Sequence, residues 1–510
     1  MKYKYLGLLV FIVILAVIAV PVSNYFVKLK IEKALHNLPE HINVNTEDIH
    51  VDVVSGTVEF KDVLISVLNK TTQEKSIKLN LSNILIEDID YIEFVFYNKV
   101  SIEALEIDAP KVTYYKAGKQ KKPTSAYEAS ETPEVVIKNV KITNGAAQVL
   151  SLQNDSLLFD IKSFKINLKD LKHHPDKKNR MPVTFQDFDI EADSIQLNVG
   201  AYDRLFISQA QLKDHASVLK AVQLKTMFSK KELSKHITTE RDHFNLGVDS
   251  IVINEVDFGY KQDTIFYFTT NKAALHHLDF NIYRDKLVAD DYTIKSLYGK
   301  MLRELNFDLN VKELQVYDGK IVYEERVHHS GVPGEIFFTD FNATMSNINN
   351  TYPEGDKTVV NITARFMDEA PLKAYCDFDI NNEYDRFLFK AELGSFHAEK
   401  MNQFLVPNLN VKFEGILHKT YFTIDATANH SSIDLKTDFD GLRVDILRKH
   451  KHKKNKFLSA IANIFVKKTT EHGDSAFAEA KRHGIKRDKT KSVFNFLWLN
   501  VKEGLLHAKN

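Results

Sequence analysis

Residues 53–66, VVSGTVEFKDVLIS, alternate apolar and polar side chains, with Val54, Gly56, Val58 and Phe60 on one side and Ser55, Thr57, Glu59 and Lys61 on the other. A period of two sends successive side chains to opposite faces of a strand, so a chain that keeps it must fold as sheet with one apolar face. After Lys61 the parity slips, and Val63 and Ile65 continue the apolar face. The same alternation returns to the end of the body in AYCDFDI, DRFLFKAELG, TYFTIDATA, SIDLKTDFD and LRVDIL.

One spacing recurs, with apolar residues at i, i+3, i+5, i+10 and i+12. It occurs as Ile102, Leu105, Ile107, Val112, Tyr114 and as Ile137, Val140, Ile142, Ala147, Val149. It returns as Val248, Ile251, Ile253, Phe258, Tyr260 and as Val311, Leu314, Val316, Ile321, Tyr323. Asn144-Gly145 and Asp318-Gly319 stand at the turn position, and such pairs favour two-residue hairpins. That turn would set Ile142 opposite Ala147 and Val140 opposite Val149. Pro110 rules out the same turn in the first copy, where a bend or bulge is expected. The spacing of the copies is too loose for a named solenoid.

The expected fold is mostly β, an elongated antiparallel sheet over residues 28–115 and 135–447. Residues 116–134 read as a polar linker or loop. A short helix is expected within residues 229–244, opened by a capping box of Ser229 and Glu232. A string of two-layer sandwiches is the plain alternative. A sheet curled on itself would instead leave a continuous apolar trough, lined by Leu105, Ile107, Val140, Ile142, Ile251, Ile253, Leu314 and Val316.

The two ends carry different signals. Residues 5–27 hold no charge, and these 23 residues suffice for a helix to cross a bilayer. Residues 1–27 read as a retained signal anchor, a cleaved signal being the alternative, with the body exported. The net charge is zero, yet residues 448–491 contain fourteen Lys or Arg against four Asp or Glu. Within the tail, 448–510, Phe457, Leu458, Ile461, Ile464 and Phe465 form one helical stripe beside Lys453 and Lys454. Phe494, Leu497, Trp498, Val501 and Leu505 form another. Basic amphipathic helices suit a membrane surface; a helix capping the open end of the sheet is the competing reading. Export argues against nucleic acid as the partner of this basic tail.

The chain resembles the AsmA-like family of Gram-negative envelope proteins. The resemblance runs from the anchor and NVNTEDIHVDVVSGTVEFKDVLIS through VSIEALEIDAPKVTYYKAG to FEGILHKTYFTIDATANHSSIDLKTDFDGLRVDILRK. The segments KNKFLSAIANIFVKK and KSVFNFLWLNVKEGLLHAKN are similar to the tails of Bacteroidetes-type members. The resemblance implies a β-groove (β-taco) anchored in the inner membrane and projecting into the periplasm. It further implies a role in outer-membrane lipid homeostasis, with phospholipid acyl chains moving along the groove. The outer membrane or a protein partner would then meet the C-terminal tail.

Motifs for chemistry are missing: there is no GxSxG, Walker loop, GxGxxG, HExxH or CxxC. The single cysteine, Cys376, rules out an intrachain disulfide and reads as an inert packed residue. The pairs His173-His174, His276-His277 and His328-His329 read as solvated, since neighbours in a strand face opposite ways. No cofactor, metal or catalytic residue is assigned, and an enzyme is not expected. A non-enzymatic scaffold for outer-membrane proteins is the alternative to a lipid groove.

Overall fold

Alternation sustained over many residues makes long strands: β7 covers 18 residues, β15 covers 21 and β16 covers 19, against the usual 3–10. In a computed structural model the chain is mostly β, its strands joined in a large mixed sheet. The structure describes residues 2–90, 93, 99–117, 134–173, 183–261, 264–329, 331–447 and 477–508. Two compact units divide it, the first holding residues 1–198, 206–219 and 260–264, the second the remainder.

The first unit contains β1 (Ile42–Asn45), β2 (Asp48–Asp52), β3 (Thr57–Leu68), β4 (Lys75–Ile89), β5 (Lys99–Asp108), β6 (Lys111–Lys116), β7 (Glu134–Ser151), β8 (Leu157–His173), β9 (Val183–Thr184) and most of β10 (Asp187–Val199). Both β1 and β2 pair with β3, and β3 pairs with β4. Next to β4 lie β5 and β6, end to end, and their other edge meets β7 in parallel. The antiparallel order resumes through β8 to β9 and β10.

Two further strands, β11 (Asp203–Lys213) and β12 (Ala216–Thr226), have residues in both units. The second unit continues with β13 (Asp242–Asn254), β14 (Asp257–Lys261, whose last two residues belong to the first unit), β15 (Ile265–Asp285), β16 (Asp308–Arg326), β17 (Gly334–Asn349), β18 (Thr358–Phe366), β19 (Ala370–Phe378), β20 (Phe387–Leu393), β21 (Phe396–His397), β22 (Val411–Ala426), β23 (His430–Ile446) and β24 (Ala478–Lys486). Pairing runs β13–β15–β16–β17–β18–β19–β20–β22–β23–β24, with β15–β16 parallel and the rest antiparallel. The expectation of a purely antiparallel sheet is therefore corrected: parallel joints occur at β5/β6–β7 and β15–β16.

The expected hairpins are also corrected. Asn144-Gly145 lies inside β7 and Asp318-Gly319 inside β16, each at a register shift. A type I′ turn needs positive φ at both central residues. Here only the first has it, φ 55° at Asn144 and 51° at Asp318, so the pair makes a bulge and the strand runs on. Ile142 pairs with Ile107 and Ile166, while Ala147 pairs with Val112 and Ile161.

Helices are few among the described residues. Ser229 caps Lys230–His236 with both bonds of the capping box, and that helix ends well before residue 244 because β13 starts at Asp242. A helix covers Lys2–His36. No helix among the described residues is long and apolar enough to cross a membrane. Most of the expected linker, and residues 448–476, lie outside the described residues. The described remainder of the expected helical tail begins with a strand, β24, followed by the helix Val493–His507.

Gly145 serves the bend by its size: a Cβ there would run into the Phe164 ring. Gly145→Val should therefore lower the melting temperature, at a cost of about 1–3 kcal/mol from overpacking. Phe164→Leu in the same chain should recover part of the loss. An unchanged melting temperature for Gly145→Val would contradict the packing.

Candidate functional site

Registering the strands lines up their apolar residues into rows that cross the sheet. In the first unit one row reads Ile49–Phe60–Ile84–Ile107–Ile142–Ile166–Ile190, without a polar break. A second reads Val51–Val58–Ile86–Leu105–Val140–Leu168–Phe188. Beyond a bend come Val44–Ile65–Leu79–Val112–Ala147–Ile161–Ile195 and Ile42–Val67–Ile77–Tyr114–Val149–Phe159–Leu197. A shorter row, Ile89–Ile102–Ile137–Leu171, lies at the other side. The recurring spacing i, i+3, i+5, i+10, i+12 indexes these five rows on β5/β6 and again on β7.

The odd steps in that spacing are bends. Asp62, Ala109, Asn144 and Ser194 have φ between 46° and 55° and sit between the same two rows, on β3, at the break between β5 and β6, on β7 and on β10. A left-handed residue takes up one position without a pair, so the next apolar side chain returns to the same face. Asp88 and Asp170 do the same between the Leu105 row and the Ile102 row. Asp and Asn adopt this conformation more readily than most residues, which accounts for their use here.

The second unit repeats the device. One row reads Ile253–Ala273–Leu314–Met345–Val360–Cys376–Phe389–Ile424–Ile433. Its neighbour reads Ile251–Leu275–Val316–Ala343–Ile362–Ala374–Ala391–Phe422–Leu435–Ala480. Left-handed His277, Asp318 and Asp340 mark the bend on β15, β16 and β17.

Each residue expected to line the trough thus lies in a row, paired within its unit. Leu105 pairs with Val140 and Ile107 with Ile142. Ile251 joins Val316 through Leu275, and Ile253 joins Leu314 through Ala273. Val140 and Val316 are buried and the other six half-buried. The outermost row of the first unit is open, with Ile77 36%, Tyr114 43% and Leu197 38% exposed.

The opposite face carries cross-strand ion pairs at alternate positions, among them Glu106–Lys141 at 3.1 Å, Lys436–Glu479 at 2.8 Å and Asp434–Lys481 at 3.2 Å. Such exposed pairs are worth under about 1 kcal/mol each. They keep that face wet and set against the apolar one.

In each unit a helix covers part of the apolar rows. Val27, Ile31 and Leu35 of the N-terminal helix pack on Ile49, Val51 and Val58, and the Asn24 side chain accepts a 2.9 Å bond from the Val53 amide. The helix Val493–His507 packs on Ile424, Ile433 and Leu435 through Phe496, Leu497, Val501 and Leu505. It is a cap on the sheet. Its expected stripe is partly corrected: Phe494 and Trp498 point to solvent, 69% and 42% exposed, while Phe496, Asn500 and Gly504 are buried. Lys453, Lys454, Phe457, Leu458, Ile461, Ile464 and Phe465 lie outside the described residues.

Two clefts are lined mainly by polar side chains. One, of about 480 Å³, is lined by Lys225, Lys230, His243, Asn245, Asp279, Asn281, Lys320 and Glu335 among others. His243 Nε2 lies 2.9 Å from the Phe228 carbonyl, and burial lowers the pKa of the ring. A second, of about 470 Å³, is lined by Asn167, Lys169, Asp187, Asp189, Lys213 and Asp214 among others. Local sequence missed the surroundings of His277, whose ring nitrogens lie 3.4 Å from Asp249 and Asp318. Both carboxylates come from neighbouring strands, so only register could have placed them. Among the described residues no cluster of three or more side chains is arranged to hold a metal ion.

Compared with protein-family models the chain finds no match, and compared with curated proteins it likewise finds none.

Cys376 reports on the apolar row. Burial, with Asp377 adding to it, pushes its thiol up from 9.0 to about 12. At pH 8 such a thiol presents on the order of a thousandth of the thiolate of an ordinary cysteine. Iodoacetamide should therefore alkylate the folded chain at least about a hundredfold more slowly than the denatured chain. Equal rates would contradict the packing around Cys376.

Proposed function

We propose that the chain is an envelope protein whose apolar sheet face holds or conducts phospholipid between inner and outer membranes, as an AsmA-like β-groove would. In this reading the lines of bends curl the sheet, and the rows line a trough. Residues 5–27 anchor it in the inner membrane, and the body lies in the periplasm.

The observation that carries the reading is the set of unbroken apolar rows, in which Leu105, Ile107, Ile142, Ile251, Ile253 and Leu314 stay half-buried and Ile77, Tyr114 and Leu197 are more exposed still, at 36%, 43% and 38%. A sandwich would bury both facing layers, because removing each large apolar side chain from water is worth about 1.5–3 kcal/mol. A face left partly wet gains most from an occupant with no hydrogen-bonding groups of its own. An acyl chain meets that description, since it asks nothing of the backbone and conforms to a ridge of methyl groups. A scaffold for outer-membrane proteins would instead take a polypeptide on the same face.

Native mass spectrometry of the full chain, purified in mild detergent, tests the reading. Phospholipid should be bound stoichiometrically, lost on Leu314→Asp and Ile251→Asp, and retained on Lys373→Asp, an exposed position next to Ala374 on the opposite face of β19. A folded wild-type chain free of lipid would overturn the proposal and favour the scaffold.

A further inference from the structure

The apolar rows of the second unit do not end where they become fully buried. Along one row the side chains pass from half-buried Leu314 and Met345 to Ile424 and Ile433, which are 0% and 2% exposed. The difference is the C-terminal helix, which lies on the last strands and takes the place of solvent. We propose that this terminal stretch is an acyl-chain site occupied by the protein's own helix Val493–His507, which an arriving lipid displaces. The proposal rests on the lipid reading above.

The seat of the helix fits a releasable occupant. Gly504 brings its backbone against the sheet, since a Cβ there would lie 3.2 Å from Leu435 Cβ and 3.3 Å from Ile433 Cδ1. Asn500, fully buried in this otherwise apolar contact, accepts a 2.7 Å bond from Ser431 Oγ and donates to the Phe496 carbonyl. A buried polar pair fixes the register of the helix, yet adds little net stability, because Asn500 meets water once the helix leaves and Ser431 Oγ keeps the Ile485 carbonyl at 3.4 Å. The segment before the helix is tied separately: Arg487 donates to the Lys295 carbonyl at 2.6 Å, and Lys491 meets Asp290 at 3.1 Å. The helix can therefore lift from the rows while its leading segment stays in place.

A reversible staple tests this in the full chain. Leu435→Cys with Gly504→Cys, in a Cys376→Ala background, places two thiols across the contact. The same preparation is compared oxidised and reduced, each loaded from mixed micelles containing dioleoyl phosphatidylethanolamine. Bound lipid is counted by native mass spectrometry, and amide exchange is followed over residues 493–507. The reduced chain should bind at least one lipid more than the oxidised chain, and loading should speed exchange in the helix only when reduced. Equal lipid counts with unchanged exchange would make the helix a fixed stopper and overturn the proposal. Lipid in neither form would instead overturn the acyl reading of the whole face.

Discussion

Everything in the sheet depends on keeping one face apolar through strands too long to stay straight. A shift of one residue would send every following side chain to the wrong face. Single left-handed residues solve this at matching positions, Asp62, Ala109, Asn144 and Ser194 on β3, between β5 and β6, on β7 and on β10 in the first unit, and His277, Asp318 and Asp340 on the adjacent strands β15, β16 and β17 in the second. Because the bends line up, the rows on either side stay continuous. The polar face then collects cross-strand pairs such as Glu106–Lys141 by the same parity.

The rows need covering where the strands run out. In the first unit the N-terminal helix does this over Ile49, Val51 and Val58; in the second the helix Val493–His507 does it over Ile424, Ile433 and Leu435. Away from those helices part of each unit's rows remains half-buried, Leu105 and Ile107 in the first unit and Ile251 and Leu314 in the second among them. Partial exposure over so many strands is the physical basis for proposing an apolar ligand for the face.

Much of this was legible in the residues. The alternation gave strands, and the spacing of Ile102, Leu105, Ile107, Val112 and Tyr114 marks five rows one by one. The parity slip after Lys61 is the Asp62 bend. What misled was Asn144-Gly145 and Asp318-Gly319: the same preference for positive φ serves a turn or a bulge, and local sequence does not say whether one residue or two will adopt it. Parallel pairing of β5 and β6 with β7, and the carboxylates around His277, depend on which strands become neighbours. The outward side of Trp498 follows from the seat of Gly504 and Asn500 on the sheet, which helical periodicity alone does not specify.

The central claim is that the apolar rows face lipid and the ion-paired face does not. A photoreactive benzoylphenylalanine placed at Ile107 or Leu314, and at Glu106 or Gln315 beside them, tests it in the full chain mixed with phospholipid. The account predicts phospholipid adducts at Ile107 and Leu314 and none at Glu106 or Gln315. Polypeptide adducts at the row positions, or equal lipid labelling at all four, would contradict it.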